Sequence, residues 1–299
     1  MKKLLTIAIS LAFATTAVRA DLANYQTTVS GQSPAYDFHF DDSLSSAVGT
    51  ATFTANGGAT FSSDYFANAN DAASFPATSD YLSLASPAVI SGEGTATAIG
   101  SMSLLFYVPA TIPGTGYYFS DSETTGGAAG SQPANSAFAL QFSSSALTLK
   151  IGNKSYSAPT TVTASTWYYL ALTYNLNGSV TSVNGVNWYL GAVGGTLSSV
   201  FEQKGGSGNL STTATLGDGN TFIVGNKQAA VVGVPATSTA GVAGGEIDEL
   251  AAFSSVLSSS DISAQFNALT TTVPEPSTCA VLGLGGLLVL WKRRAFRRD

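Results

Sequence analysis

The sequence predicts an all-β protein, an antiparallel β-sandwich with one short C-terminal helix. Short runs alternate apolar and polar residues, and clusters of Gly, Asn, Ser and Pro separate them, as in half-buried antiparallel strands. The run from Trp167 to Tyr174 is apolar at nearly every position, which is typical of an interior strand covered on both faces. No helical period appears before the end of the body of the chain. Many short strands joined by turns favour a sandwich.

The predicted strands follow one another along the chain. In the first, aromatic residues from Tyr36 to Phe40 alternate with Asp37, His39 and Asp41, so rings and polar groups fall on opposite faces. Further strands are predicted at 81–84, 102–108, 117–120, 138–142, 147–151, 167–174, 186–190 and 222–224.

One helix is predicted near the end of the body. Ser258 is a favourable N-cap, Asp261 stands three positions later as in a capping box, and Leu257 is placed to pack onto Ile262. Apolar residues then recur at i, i+4 and i+7 on one face: Ile262, Phe266 and Leu269. We expect this helix to pack on the sandwich.

Residues 1–20 have the order of a secretory signal peptide. A basic start, Lys2 and Lys3, precedes an apolar run, and short residues stand at the positions that a signal peptidase reads before Ala20. Cleavage between Ala20 and Asp21 is expected. Residues 21–272 then form the sandwich, and residues 273–299 form a separate C-terminal segment.

This C-terminal segment combines three features. Pro274, Glu275 and Pro276 interrupt regular structure, an apolar run predicts a hydrophobic helix, and a basic cluster closes the chain with Arg293, Arg294, Arg297 and Arg298. The order resembles the PEP-CTERM sorting signal of bacterial exported proteins. The resemblance implies an exosortase as partner, and delivery to the cell envelope or extracellular matrix with at least transient membrane anchoring. An ordinary single-pass anchor is the alternative.

The body is strongly acidic. Residues 21–272 contain four lysines, no arginine and sixteen acidic residues, a net charge of −12, whereas the whole chain carries −6. Nucleic acid is excluded as a partner because phosphate binding requires the basic residues that are missing. Neutral glycans, cations and basic surfaces remain as possible partners. The single cysteine, Cys279, lies in the C-terminal segment, so the body has no disulfide.

Three stretches of the body resemble laminin G-like (LamG) and concanavalin A-like lectin-glucanase domains. They are 245–254 with the Leu257-Ser258 and Asp261-Ile262 pairs, 167–175, and 222–226. The resemblance implies a jelly roll with a structural or adhesive role and binding of glycans or matrix. Residues 184–191 fit the family pattern loosely, and the glycine-rich stretch 191–219 is interpreted as an insertion.

An enzymatic alternative rests on the acidic run at 246–249. Glycoside hydrolases of the same fold carry Glu-x-Asp-x-Glu on one strand, and retaining chemistry needs two carboxyl groups about 5 Å apart. Here Glu246 and Asp248 would share a face, Leu250 replaces the third acid, and Glu249 would point to the opposite face. We therefore expect no enzymatic activity, with a glycoside hydrolase as the alternative.

Metal sites find limited support in the sequence. His39 is the only histidine, and the body lacks the paired His or Cys of zinc sites, so we expect a surface or strand-edge residue. By resemblance to LamG and pentraxin-like domains, Asp121 and Glu123 would lie where a calcium loop begins. The Asp-rich and Asn-rich clusters at 37–42 and 68–71 are weaker calcium candidates, since such loops usually serve turns.

Two pairs of adjacent aromatic residues could stack on sugar rings: Tyr117 with Tyr118, and Trp188 with Tyr189. Neighbours on a strand point to opposite faces, so one ring of each pair could be exposed. The sequence thus predicts an exported adhesive or glycan-binding protein, with a glycoside hydrolase or a purely structural surface protein as alternatives. The identity of its ligand stays open.

Overall fold

Two antiparallel sheets pack face to face in the described part of the chain, and two short helices lie on the outer face of one sheet. The computed structural model describes residues 22–85, 97–122, 137–152, 154–177, 184–204, 211, 216, 221–227 and 240–270. The elements in chain order are α1 Leu22–Gly31, β1 Tyr36–Phe38, β2 Thr54–Asn56, β3 Thr60–Ser62, β4 Ala72–Phe75, β5 Tyr81–Ala85, β6 Ile99–Val108, β7 Thr115–Ser122, β8 Ala137–Ser143, β9 Ala146–Gly152, β10 Lys154–Ser157, β11 Thr166–Asn175, β12 Gly185–Ala192, β13 Ser198–Gln203, β14 Thr221–Val224, β15 Gly245–Phe253 and α2 Ser259–Ala268.

Sheet I has the order β13-β12-β11-β6-β15-β4-β3, and β1 also pairs with β15. Sheet II has the order β10-β9-β8-β7-β14-β5-β2. Strand β11 lies between β12 and β6, which confirms the interior strand predicted from its apolar run. β4 and β1 pair with successive halves of the same edge of β15. Along this edge of β15, β1 and β4 are therefore separated by a junction beside residues 248–249.

Aromatic side chains join the two sheets. The Phe106 ring of β6 lies 4.7 Å from the Tyr118 ring of β7, between ring centroids, and Tyr118 also contacts Phe142. Trp188 is fully buried in the same core. Burial of such large apolar side chains provides the main driving force for folding, as expected for a body without disulfides.

The predicted sandwich is confirmed, with differences in its shorter strands. Every predicted strand is present, although β1 ends at Phe38 because Phe40 takes a φ of +59°. The sequence analysis missed β2, β3, β4, β10 and β13, which are short. Strand β13 lies inside the stretch 191–219, so part of the supposed insertion is the edge strand of sheet I.

The C-terminal helix is confirmed in detail. The Ser258 side chain accepts a hydrogen bond from the Asp261 backbone N–H, and the Asp261 carboxylate accepts one from the Ser258 backbone N–H. Leu257 and Ile262 are both buried. Phe266 packs on Tyr169 of β11 at 5.8 Å between ring centroids, which fixes α2 on the outer face of sheet I.

The expectation of a single helix was wrong, since α1 covers Leu22–Gly31. Its sequence has little amphipathic character, and only Tyr25 and Val29, spaced i and i+4, are buried. Contacts with α2 substitute for an amphipathic pattern: the Gln32 side chain donates to the Asp261 backbone carbonyl, and Gln265 donates to Gln32. Tertiary packing therefore stabilises a segment with weak helical preference.

The predicted signal peptide at 1–20 and hydrophobic helix at 273–299 lie outside the described residues. Within the described ranges, neither helix has the length and apolar character needed to span a bilayer.

Candidate functional site

A row of partly exposed side chains crosses the outer face of sheet I. Strand register places Trp167 of β11 opposite Tyr107 of β6, Tyr107 opposite Glu246 of β15, and Glu246 opposite Ser74 of β4. Ser74 in turn faces Thr60 of β3. Residues directly opposite one another point to the same face, so these five form one continuous line, which we call the transverse row.

The transverse row combines aromatic and hydrogen-bonding groups. The Trp167 and Tyr107 rings lie 5.6 Å apart between centroids, at an interplanar angle of 49°. Next to them is Glu246, where partial burial raises the pKa of the carboxyl group. Ser74 and Thr60 continue the row with hydroxyl groups. Aromatic faces beside acceptors and hydroxyls offer both contacts that a neutral sugar needs: an apolar surface and hydrogen-bond partners.

Strand β15 contains a β-bulge that changes which face its acids occupy. Its register with β6 shifts between Asp248 and Ala251, and Glu249 has a φ of +51°. Leu250 consequently belongs to the core between the sheets, and Glu249 lies on the outer face with Asp248. The prediction that Glu249 points to the opposite face from Asp248 was therefore wrong, because the alternation on which it relied stops at the bulge.

Under α1, these acids join a buried polar cluster that includes the only histidine. His39 Nδ1 lies 3.0 Å from Glu249 Oε2, and His39 Nε2 lies 3.4 Å from Asp37 Oδ2. Gln26 of α1 donates to Glu249 Oε1 at 2.9 Å, and Asp248 Oδ1 accepts from the Glu249 backbone N–H at 2.8 Å. The ligand atoms of Asp37, His39 and Glu249 all lie within 4.8 Å of one another.

Burial and charge shift the protonation of this cluster. Burial by itself lowers the pKa of His39, but the hydrogen bond and charge of Glu249, with the charges of Asp37 and Asp41, raise it to about 9. Burial raises the pKa of Glu249 to about 7, against the opposing effect of His39. Burial also raises the pKa of Asp37. His39 was predicted as a surface or strand-edge residue, and instead it lies between two buried carboxyl groups with a side chain 20% exposed.

The predicted calcium loop differs from the structure. Asp121 lies within β7 and is fully buried, so it is not a residue of an exposed loop. Glu123 lies outside the described residues. The two weaker candidate clusters come together, since the Asp42 backbone N–H donates to the Asn70 carbonyl at 2.9 Å.

The aromatic pairs predicted from the sequence are largely in the core. Tyr117, Tyr118 and Trp188 are all buried, and only Tyr189 is partly exposed. The prediction of one exposed ring in each pair was wrong for Tyr117 and Tyr118, because register shifts occur in β7 on both sides of Phe119 and disturb the regular alternation.

Among the described residues, a shallow cavity of about 340 Å³ lies elsewhere, beside the turn between β8 and β9. Its lining is small and uncharged: Ser145, Ala146, Leu147, Ser157, Ala158, Pro159, Thr160, Thr161 and Val162. It offers neither an aromatic face nor a charged group, so the transverse row is the better candidate for recognition.

Sequence analysis missed Trp167 and Tyr107 as surface residues. Both are partly exposed, in strands that are otherwise almost entirely buried. The sequence signal that could have identified them is position, because both lie near the end of a strand. Their proximity depends on register, which a single sequence does not provide.

Comparison with known proteins identifies the C-terminal segment. Residues 272–298 match the PEP-CTERM protein-sorting motif, and the predicted sorting residues from Pro274 to Arg298 lie within this match. The motif indicates an exported, envelope-associated protein that is sorted by an exosortase. No curated protein sequence is detectably similar to the chain.

Solved structures support the sandwich fold. The binding domain of botulinum neurotoxin serotype D superposes with a TM-score of 0.50 and 12% identity, covering 80% of this chain and 52% of that chain. Domain 4 of AbnA, a GH43 extracellular arabinanase from Geobacillus stearothermophilus in complex with arabinotriose, superposes with a TM-score of 0.47 and 15% identity, covering 78% and 97%. The chain spans about half the length of the neurotoxin binding domain that it matches. At this identity the first likeness establishes the β-sandwich fold alone.

Proposed function

We propose that this exported protein binds extracellular glycans of the bacterial envelope or matrix through the transverse row. The observation that carries the proposal is the alignment of Trp167, Tyr107 and Glu246 across three adjacent strands. Adjacent strands lie about 4.8 Å apart, so the five-strand row extends about 19 Å, long enough for an oligosaccharide rather than a single sugar. The net charge of −12 on residues 21–272 favours neutral glycans over anionic ones.

The rigid sheet favours this role. Trp167 and Tyr107 project from long strands that pair with neighbours on both sides, so their positions are set before a ligand arrives. Pre-organised aromatic groups lose little conformational entropy on binding. An adhesive function would follow directly from such binding on the cell surface.

Binding without hydrolysis is the other part of the proposal. A glycosidase needs two carboxyl groups in contact with the sugar. Asp248 and Glu249 are at most 1% exposed, and Glu246 is the only member of the run 246–249 whose carboxyl group reaches the surface. One accessible carboxyl group can accept a hydrogen bond from a sugar hydroxyl, but it does not supply both an acid and a nucleophile.

A glycan array with the full-length chain in mild detergent tests the proposal. We expect binding to neutral oligosaccharides, and Trp167→Ala should weaken it at least about 30-fold, the equivalent of about 2 kcal/mol for a dominant aromatic contact. Phe201→Ala is the matched control, since Phe201 is an exposed aromatic residue, 39% exposed, on the edge strand β13. Loss of the Phe201 ring should leave glycan binding unchanged.

Three results would contradict the proposal. Equal loss of glycan binding in Trp167→Ala and Phe201→Ala would indicate nonspecific binding by exposed aromatic rings. Absence of binding to every glycan on the array would favour a purely structural surface protein. Turnover of a bound glycan that Glu246→Gln abolishes would establish a hydrolase instead.

A further inference from the structure

The contact between His39 and Asp37 is incomplete as a hydrogen bond. The distance from His39 Nε2 to Asp37 Oδ2 is 3.4 Å, longer than the 2.7–3.2 Å usual for N–H···O hydrogen bonds. Asp37 is only 2% exposed, and its buried Oδ1 has no hydrogen-bond partner. A buried carboxylate oxygen without a partner carries a large desolvation penalty, which a bound cation would offset.

The other side of the imidazole is fully engaged. Nδ1 lies 3.0 Å from Glu249 Oε2, and Gln26 holds the second oxygen of that carboxylate. A carboxylate on Nδ1 keeps the proton on that nitrogen, so a metal ion that displaces the Nε2 proton meets an imidazole already oriented as in many metal-bound histidines. Nε2 then points at the unsatisfied Asp37 carboxylate.

The distances fit a metal ion between these two groups. Zinc binds imidazole nitrogen and carboxylate oxygen at about 2.0–2.2 Å, and two ligands of a tetrahedral centre at that distance are about 3.3 Å apart. The observed separation is 3.4 Å. Imidazole as a ligand favours zinc and other first-row transition metals over calcium or magnesium, which prefer oxygen alone.

We propose that His39 Nε2 and the Asp37 carboxylate bind a divalent transition-metal ion, with Glu249 as the residue that positions the imidazole. The His39 side chain is 20% exposed, so solvent has access and water can complete the coordination. Asp41 follows two residues later, and its negative charge near His39 favours a cation at this position. The ion would link β1 to β15 through Glu249, at the junction that α1 covers.

Zinc itself is the probe, added to the full-length chain in mild detergent after treatment with a chelator. Calorimetry should show one ion per chain and an increase in the melting temperature. Because the chain has a single histidine, labelling with ¹⁵N-histidine reports on His39 alone. We expect the Nε2 resonance to shift on zinc addition while Nδ1 remains protonated.

Variants separate the site from surface acids. His39→Gln and Asp37→Asn should abolish the stoichiometric binding, and Glu249→Gln should weaken it 10- to 100-fold, as expected for loss of a positioning carboxylate. Asp71→Asn is the matched control, since Asp71 interacts with the same acidic region but does not belong to the cluster. The zinc affinity of Asp71→Asn should equal that of the unmodified chain.

The ¹⁵N experiment needs no variant, so it remains decisive if one of them fails to fold. Binding of zinc without a change at His39, or equal binding by His39→Gln, would overturn the proposal by placing the ion elsewhere. Absence of binding up to millimolar zinc would overturn it as well. Glycan binding by the unmodified chain is read on the array, so failure of either proposal leaves the other intact.

Discussion

The buried cluster around His39 makes the stability of the metal-free protein depend on pH in a specific direction. The pKa of His39 rises from 6.5 to about 9 on folding, because the effects of Glu249, Asp37 and Asp41 exceed that of burial. The folded state therefore binds a proton that the unfolded state releases between these two values. Stability from this group is fully present below pH 6.5, and it is lost as the pH rises through 9.

The size of the effect follows from the shift. The shift from 6.5 to about 9 corresponds to about 3 kcal/mol at most. Solvent reaches one face of His39, and screening there reduces the contribution to about 2 kcal/mol. Glu249, with a pKa raised to about 7, acts in the same direction but mainly between pH 4.5 and 7. Tyr25 of α1 also faces the cluster, and its pKa is raised too far to titrate in this range.

Urea unfolding of the chelator-treated protein between pH 7 and 9.5 isolates the histidine. We expect the free energy of unfolding to fall by about 2 kcal/mol across this range, and His39→Gln to remove most of that slope. Asp71→Asn should retain it. Parallel pH profiles for the unmodified protein and His39→Gln would refute the reasoning, since the charged imidazole would then contribute nothing to the folded state.

Two further substitutions test the backbone of the sandwich by urea unfolding. Gly225→Ala should destabilise the protein by about 1–3 kcal/mol more than Gly194→Ala. Both glycines have φ above +80°, so both substitutions strain the backbone. Only at Gly225 would the added Cβ also lie 2.4 Å from the Phe75 ring. Equal effects would show that Phe75 can move aside. Ser258→Ala should lower stability by about 1 kcal/mol through loss of the capping box, with Ser263→Ala on the exposed face of α2 as control, and equal midpoints for the two would contradict the role of the cap.

Local rules predicted the parts of the fold that depend on neighbouring residues. Strand β11 and helix α2 were predicted from the sequence because a continuous apolar run and a helix cap each depend on a few neighbouring positions. The helix α1 was missed, since only Tyr25 and Val29 pack and its stability comes from α2 and sheet I. The same limit applies to the short strands at the sheet edges, which contain too few residues to show a period.

The candidate sites depended still more on tertiary structure. Glu249 was assigned to the wrong face because one residue with positive φ interrupts the strand, and sequence alternation has no means of marking that position. Trp167 and Tyr107 are 60 positions apart in the chain, and they meet only through the register of β11 with β6. The bond between His39 and Glu249 spans 210 positions.

The amino-acid sequence alone determined the sorting motif, the acidic and disulfide-free body and the sandwich class, because each of these follows from composition or from contiguous residues. Tertiary structure alone decided which aromatic rings reach solvent and which acids surround the histidine. The physical reason is that strand register and a single bulge convert short-range alternation into long-range contacts, and packing of both sheets and helices determines them together.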